Sequence, residues 1–281
     1  MIGTRAIGFP LTLLLAVSAS LPAQAPPEQQ AAAQAPAQPA AAEKHSYYAE
    51  VGAFYHTLNN DYGTWRGLDA RLGYTGNSRV VPYFTFSTQT RDEGAQQSYG
   101  AYSYLKFSQS LWSIVGISAA PEKETLLYPK TRFDATLFVG VPRTPGLFAS
   151  VGYTDFAWAN QAGGRIASVG GLYYFGKYVM NGSFQFNSLR PGANRSFSGQ
   201  AGIQYGSQGD FWIGAGIAGG KLAYPVMSLV PFDVRFTSVG FNCFYQQWLS
   251  RHFGLIVRYD FQNQMDAFQR HGLYIAPFFE F

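Results

Sequence analysis

Charge is what this chain has least of. Asp, Glu, Lys and Arg together supply 13% of its 281 residues, about half the share usual in soluble globular proteins, which argues against an ordinary hydrated surface. Cysteine is nearly absent: Cys243 alone excludes an intrachain disulfide. Set among Val239, Phe241 and Tyr245 at period two, it reads as a small apolar filler on a lipid-facing strand. Beyond the first residues no run of apolar positions reaches the length that crosses a bilayer as a helix. The formal charge of +4 and the pI near 9.0 come from scattered basic residues, which leaves no footprint for nucleic acid. The four histidines lie far apart and form no carboxylate–histidine motif, so neither a metal site nor a cofactor is expected.

What is plentiful points one way. Aromatics reach 17% and glycine 31 residues, yet mean hydropathy is only −0.07. Such a balance results when lipid-facing and water-facing residues alternate along strands, because averaging over both faces hides the apolar one.

The N-terminus reads as a secretory signal peptide over residues 1–25: Arg5, the apolar stretch 6–20, then small residues. Ala23 and Ala25 fit a cleavage site, but Pro26 would then stand first in the mature chain, and cleavage after Ser20 is the alternative. Residues 26–44 are almost wholly Ala, Pro and Gln. With nothing to bury, they are expected to form a disordered periplasmic tether, or else a segment that docks on a periplasmic partner.

From Tyr47 onward the pattern changes to period-two runs bounded by Gly, Asn, Asp, Ser or Pro. Fourteen are present: 46–58, 64–75, 79–90, 97–109, 111–121, 131–141, 147–158, 165–175, 177–189, 195–206, 210–221, 232–247, 252–264 and 270–281. Tight links such as 109–110, Gly176 and 207–209 alternate with longer ones such as 91–96, 121–130, 159–164 and 219–231. Short turns on one side and long loops on the other predict an all-β, up-and-down antiparallel transmembrane β-barrel over residues 45–281. About fourteen strands are expected, twelve or sixteen if a run is split or merged. An even number returns both termini to the periplasmic side of a Gram-negative outer membrane. A secreted β-sandwich would share the periodicity, but scarce charge and aromatics near both ends of the runs favour the barrel.

Alternation also assigns faces. On the last run Leu273, Ile275, Pro277, Phe279 and the final Phe281 share one side. Leu273, Ile275, Phe279 and Phe281 resemble the C-terminal signal read by the barrel assembly machinery, and Pro277 removes a ladder donor where the last strand closes on the first. Charges point inward by solvation cost: Glu50, Asp69, Arg71, Lys106, Arg132, Asp134, Arg258, Asp260 and Glu280 are the expected pore-lining residues, with amides and hydroxyls such as Asn181, Ser183, Gln185, Ser198, Gln200 and Gln204. Fourteen strands enclose roughly 28 Å of backbone diameter and leave about 10 Å between side chains. The charges either filter solutes or simply pair to close the barrel.

Catalysis is not expected. Some outer-membrane barrels cleave acyl chains with a Ser–His pair on the lipid face. Here His45 precedes the barrel, His252 begins a strand on the periplasmic side, His56 points inward, and His271, outward, has Phe261 and Asn263 as its outward neighbours on the preceding run.

Three stretches carry a family resemblance: LYPKTRFDATLFVGVP (127–142), LFASVGYTDF (147–156) and SVGGLYYFGKYVMNGSFQFNS (168–188). Their order resembles the YaiO-type outer-membrane barrel domain, with Pro129, Gly152, Tyr153, Gly176, Lys177 and Tyr178 at matching positions. The resemblance is clear over about the last 170 residues and looser before. It implies a barrel in outer-membrane lipid and no catalytic residue. Some relatives carry helical repeats ahead of the barrel or sit beside polysaccharide-handling genes, which implies periplasmic or polysaccharide-export partners; this chain has only the short tether. Two functions follow as expectations: a narrow polar pore or export channel for small polar or saccharide solutes, or a non-conducting barrel that supports the envelope or displays 121–130 and 219–231 for contacts. A lipid-modifying enzyme is the third.

Overall fold

The computed structural model describes residues 46–281 apart from 61, 93, 122–126, 159–161, 191–194, 223–235 and 265–266. The leader (1–25), the tether (26–44), His45 and most of 219–231 therefore lie outside the described residues. Fourteen strands form: β1 (Tyr47–Leu58), β2 (Thr64–Tyr74), β3 (Val80–Arg91), β4 (Gly94–Lys106), β5 (Leu111–Ala119), β6 (Thr131–Gly140), β7 (Leu147–Ala157), β8 (Gly163–Phe175), β9 (Tyr178–Arg190), β10 (Arg195–Ser207), β11 (Phe211–Leu222), β12 (Phe236–Trp248), β13 (Phe253–Gln264) and β14 (Phe268–Glu280). Each pairs antiparallel with its sequence neighbours, and β14 closes on β1. Closure leaves the sheet with no free edge, the condition for crossing hydrocarbon.

The alternation of faces is visible in the burial of β14, where Phe268, Gly272, Tyr274, Ala276, Phe278 and Glu280 turn inward and are buried while Leu273, Ile275 and Phe279 are exposed. Around the outside stand Val51, Phe84, Ile117, Val151, Phe184 and Ile217, each more than half exposed. These belong in contact with acyl chains. Aromatic pairs ring the end that carries the termini: Tyr47 with Tyr74 and Phe281, Tyr178 with Tyr205, Phe211 with Tyr245, and Phe253 with Phe279, at centroid separations of 4.9–6.3 Å. Phe86 with Tyr99 and Phe186 with Phe197 do so toward the opposite, far end.

One expectation changes. The stretch 91–96 is not a long loop: β3 and β4 pair out to Arg91↔Gly94, with Gly94 at φ 137° making the turn. Arg91 and Gln96 stand on strand faces turned to the interior, both being buried. Length alternation thus reduces to two long links, 120–130 and 223–235. The described ends of the stretch 121–130 are tied to the barrel. Gln96 grips both sides of it, donating from Nε2 to the Pro121 carbonyl (3.1 Å) and accepting from the Tyr128 N–H (2.7 Å).

The seam is interrupted where the proline stands. β1 and β14 pair from Tyr48↔Glu280 to Glu50↔Phe278, then resume at Ala53↔Ile275, skipping Pro277. Beyond the gap the ends are tied again, with the Ser46 and Tyr47 N–H groups donating to the Phe281 carbonyl and Phe281 N–H to that of Tyr47.

Inward glycines let rings lie flat on the wall. A methyl group added at Gly254 would overlap the Phe278 ring, at Gly52 that of Tyr274, and at Gly116 that of Tyr102. In each case an aromatic from one strand covers a bare backbone on the next. Gly254→Ala should lower unfolding stability by about 1–3 kcal/mol, the cost of overpacking. Gly182→Ala, whose added carbon would meet only the Gln200 carbonyl oxygen at 3.4 Å, should stay within about 0.5 kcal/mol. Urea titrations of the barrel refolded in detergent check both.

Candidate functional site

The interior has two unlike walls. The first spans β12 to β14 and β1 to β3 and carries a ladder of paired charges. Glu50 accepts from the phenols of Tyr48 and Tyr274, both at 2.6 Å, with Arg71 Nη1 at 3.9 Å. Arg258 lies 4.4 Å over the Tyr274 ring, and Asp69 accepts from the Ser87 hydroxyl within the fields of Arg258 and Arg71. Farther along, Asp260 Oδ2 stands 3.5 Å from Arg270 Nη2 and 3.8 Å from His56 Nε2. At the far end two guanidiniums lie over Trp65, Arg91 at 3.8 Å and Arg270 at 5.3 Å from its ring. Paired this way, charges taken from water retain compensation in neighbouring charges and ring faces.

Both ends of this wall are covered. At the end carrying the termini, Tyr48 stacks on Phe278 (5.9 Å), Trp248 meets Phe278 edge-on, and the Trp248 indole N–H donates to Glu280 Oε2 at 3.0 Å. At the far end Trp65, Phe268, Ala267 and Tyr62 pack together, with Asn59 and Asn60 bonding across to Gln269 and Ala267.

The second wall, β6 to β10, is lined by Thr136, Ser150, Ser168, Asn181, Ser183, Gln185, Gln200 and Gln204, none of them fully buried, and Asn181 is exposed although it faces inward. Its charges are fewer. Arg132 holds Asp134 through two bonds of 2.8 Å, and the Thr154 hydroxyl donates to the same carboxylate at 2.7 Å. Below this wall, toward the termini, lies an apolar layer: Trp112 stacked on Phe138 at 3.7 Å, Phe148 edge-on to Tyr174, and Leu172 joining them to Val179 and Trp212. The expected 10 Å bore is therefore not uniform. Inward aromatics occupy it at one level and the charge ladder fills one side.

All nine expected lumen residues lie on inward faces. Glu50, Asp69, Arg71, Arg258 and Asp260 are gathered in the ladder, whereas Arg132 with Asp134, Glu280 with Trp248, and Lys106 stand apart. His56, inward as its parity implies, completes the ladder with Arg91 and Arg270, which lie outside the expected pore-lining set. Position parity carries the signal for Arg270, which shares the face of Tyr274, and for Arg91, once it is read as strand. Leu273, Ile275, Phe279 and Phe281 face outward, 44–59% exposed. His271, also outward, lies tilted against Phe261 as alternation implies, and its Nδ1 bonds the Tyr259 hydroxyl at 2.8 Å. No group of His, Cys, Asp and Glu among the described residues is arranged to hold a metal ion.

Tyr128 belongs to the link 120–130 yet reaches the interior. Burial, and then the Asp69 carboxylate, push its phenol well above the usual range.

Comparison with known proteins gives a consistent fold. The model of the YaiO membrane beta barrel domain matches residues 46–225, beginning at β1 and ending short of β12, so the resemblance reaches farther toward the N-terminus than the motifs at 127–188 suggest. A monoaromatic hydrocarbon channel superimposes with TM-score 0.56 at 8% identity, covering 85% of this chain and 89% of that one. A bacterial polysaccharide outer-membrane secretin does so with TM-score 0.50 at 7% identity, covering 85% and 99%. An anion-selective porin from Comamonas acidovorans gives 0.46 at 11% identity, covering 84% and 98%. Among curated protein sequences none matches.

Two outcomes follow. Glu50→Ala should cost about 3 kcal/mol, since it strands a buried guanidinium, and Glu50→Gln should cost less; equilibrium unfolding measures both. The folded chain holds the Tyr128 phenol neutral, so the docked link contributes stability that is complete below pH about 10 and is lost as pH rises through the higher folded pKa. Alkaline unfolding of wild type, but less so of Tyr128→Phe, should reveal that loss.

Proposed function

We propose that this chain, which belongs to the YaiO membrane beta barrel domain family, forms a narrow outer-membrane channel for small, neutral polar solutes, saccharides among them. The observation that carries the reading is the exposed, inward-facing Asn181 on a wall of amides and hydroxyls. Such groups exchange hydrogen bonds with a neutral solute at little desolvation cost, and facing walls of this kind set selectivity without a charge filter. The charge ladder opposite pairs with itself and shapes the bore. The aromatic layer near the termini then acts as the constriction, its ring faces suited to the C–H faces of a sugar.

One similar barrel is a monoaromatic hydrocarbon channel and another a polysaccharide secretin, so the fold serves unlike cargoes and the wall chemistry has to choose. In this reading both termini face the periplasm, residues 1–25 direct export, 26–44 tether the barrel, and the outward Leu273, Ile275, Phe279 and Phe281 are read by the assembly machinery. A polysaccharide-export partner would meet the tether side.

A second reading, a non-conducting envelope barrel, is favoured by the near-complete burial of Trp212, Ile256 and Phe278, at 1%, 1% and 0% exposure. Planar-bilayer recording separates the two. Discrete steps are expected from the refolded protein, larger in Phe278→Ala. Asn181→Arg should shift the reversal potential toward anions, while Asp260→Asn should lower the unfolding midpoint and leave selectivity unchanged. Silence of wild type and Phe278→Ala, with the barrel intact by circular dichroism, would favour the second reading.

A further inference from the structure

The outside of the barrel is nearly free of charge, and where charge occurs it is concentrated. Among the strand residues whose side chains the structure describes, the outward-facing charged ones are Arg66, Asp155, Arg165, Arg190 and Arg195, and all but Arg66 stand together at the far ends of β7 to β10. The register sets Asp155, Arg165, Ser188 and Arg195 in one row across four strands, with Arg190 one outward position beyond Ser188. Asp155 accepts from Arg165 Nε at 3.0 Å and from Arg190 Nη2 at 3.2 Å, which orients both guanidiniums; their side chains are still 60% and 47% exposed. Arg195 is exposed and has no ion-pair partner among the described residues. Three cations against one carboxylate leave an excess of positive charge on a surface that meets lipid.

The surface beneath the cluster is shaped as well. One row toward mid-barrel come Tyr153, Ala167, Phe186 and Phe197, and farther down Ala149, Gly171, Gly182 and Ala201 are paired across the same four strands. That lower row, with no side chain larger than a methyl group, is a shallow trough. It lies about 15 Å along the barrel axis from Ser188 for tilted strands, close to the depth of one leaflet's hydrocarbon.

We propose that this face binds a phosphorylated glycolipid of the outer leaflet. Arg165, Arg190 and Arg195 hold its phosphate groups, and its acyl chains descend past Phe186 and Phe197 into the trough. Arginine suits the task, since its planar fork engages phosphate oxygens in pairs and keeps its charge at the membrane surface. Arg165 and Arg195 stand on either side of β9, about 10 Å apart at their backbones, the breadth of a phosphorylated sugar headgroup. The site rests on the orientation proposed above and is independent of conduction.

Lipid retention by the refolded full-length mature barrel, read by native mass spectrometry, tests the site. The probes are diphosphorylated lipid A, the same lipid stripped of phosphate, and inorganic phosphate. The phosphorylated form should be retained at least about tenfold better than the stripped form, and Arg195→Gln should weaken retention about tenfold. Because losing Arg165 and Arg190 would leave Asp155 unpaired, they are replaced by Gln together with Asp155→Asn, which should abolish the phosphate preference in a barrel that still folds. Equal retention of both lipids, or no effect of Arg195→Gln, overturns the site; displacement of the lipid by millimolar inorganic phosphate overturns the glycolipid assignment. Orientation is read separately from an Asn77→Cys variant in a Cys243→Ala background on intact cells. Labelling from outside would put the arginines in the inner leaflet and overturn the assignment, whereas labelling only after the outer membrane is breached supports it.

Discussion

A backbone in hydrocarbon has to satisfy its own hydrogen bonds, and everything else in this barrel is subordinate to closing the ring that does so. Closure falls to β1 and β14, where Pro277 leaves a break in the ladder. Side chains bridge the place. Glu50 on β1 takes a hydrogen bond from Tyr274 on β14 while Tyr48 stacks on Phe278, and beyond the gap backbone bonds between Tyr47 and Phe281 resume. The seam is thus held by buried polar and aromatic contacts where the backbone alone is weakest. The charge ladder grows from that place because Arg71 and Arg258, which pack against Glu50 and Tyr274, themselves need partners in turn.

The two surfaces of the ring answer opposite solvation demands. Outside, among the described side chains of the strands, charge is confined to the far edge. Inside, charge is tolerated if compensated, and glycines at positions such as 52, 116 and 254 make room for rings that would otherwise project into the bore. Those rings turn one end of the interior into an apolar layer. What space remains lies along β6 to β10, where small and neutral polar side chains stand.

Much of this was legible in the residues themselves. The strand count, the inward turn of Asp260 and Glu50, the outward turn of Phe279 and the family all follow from period two and from short motifs, since a side chain's face depends only on its position within a strand. The stretch 91–96 misled because a run of polar residues looks like a loop, although on a strand facing an aqueous or charged interior polarity is no sign of a link. Tyr128 was not legible for the complementary reason: a loop residue can reach into a barrel only once closure brings Gln96 and Asp69 beside it.

The amino-acid order alone determined that this chain forms a ring of alternating strands with charge turned inward, because alternation is local and its solvation cost is paid residue by residue. Which inward residues meet was decided only by the closed ring. The approach of Asp260 to His56, the stacking of Trp112 on Phe138 and the gathering of three arginines on one outer edge all depend on the register between strands. Register is a property of the assembled sheet, set by hydrogen bonds between segments, and no single segment contains it.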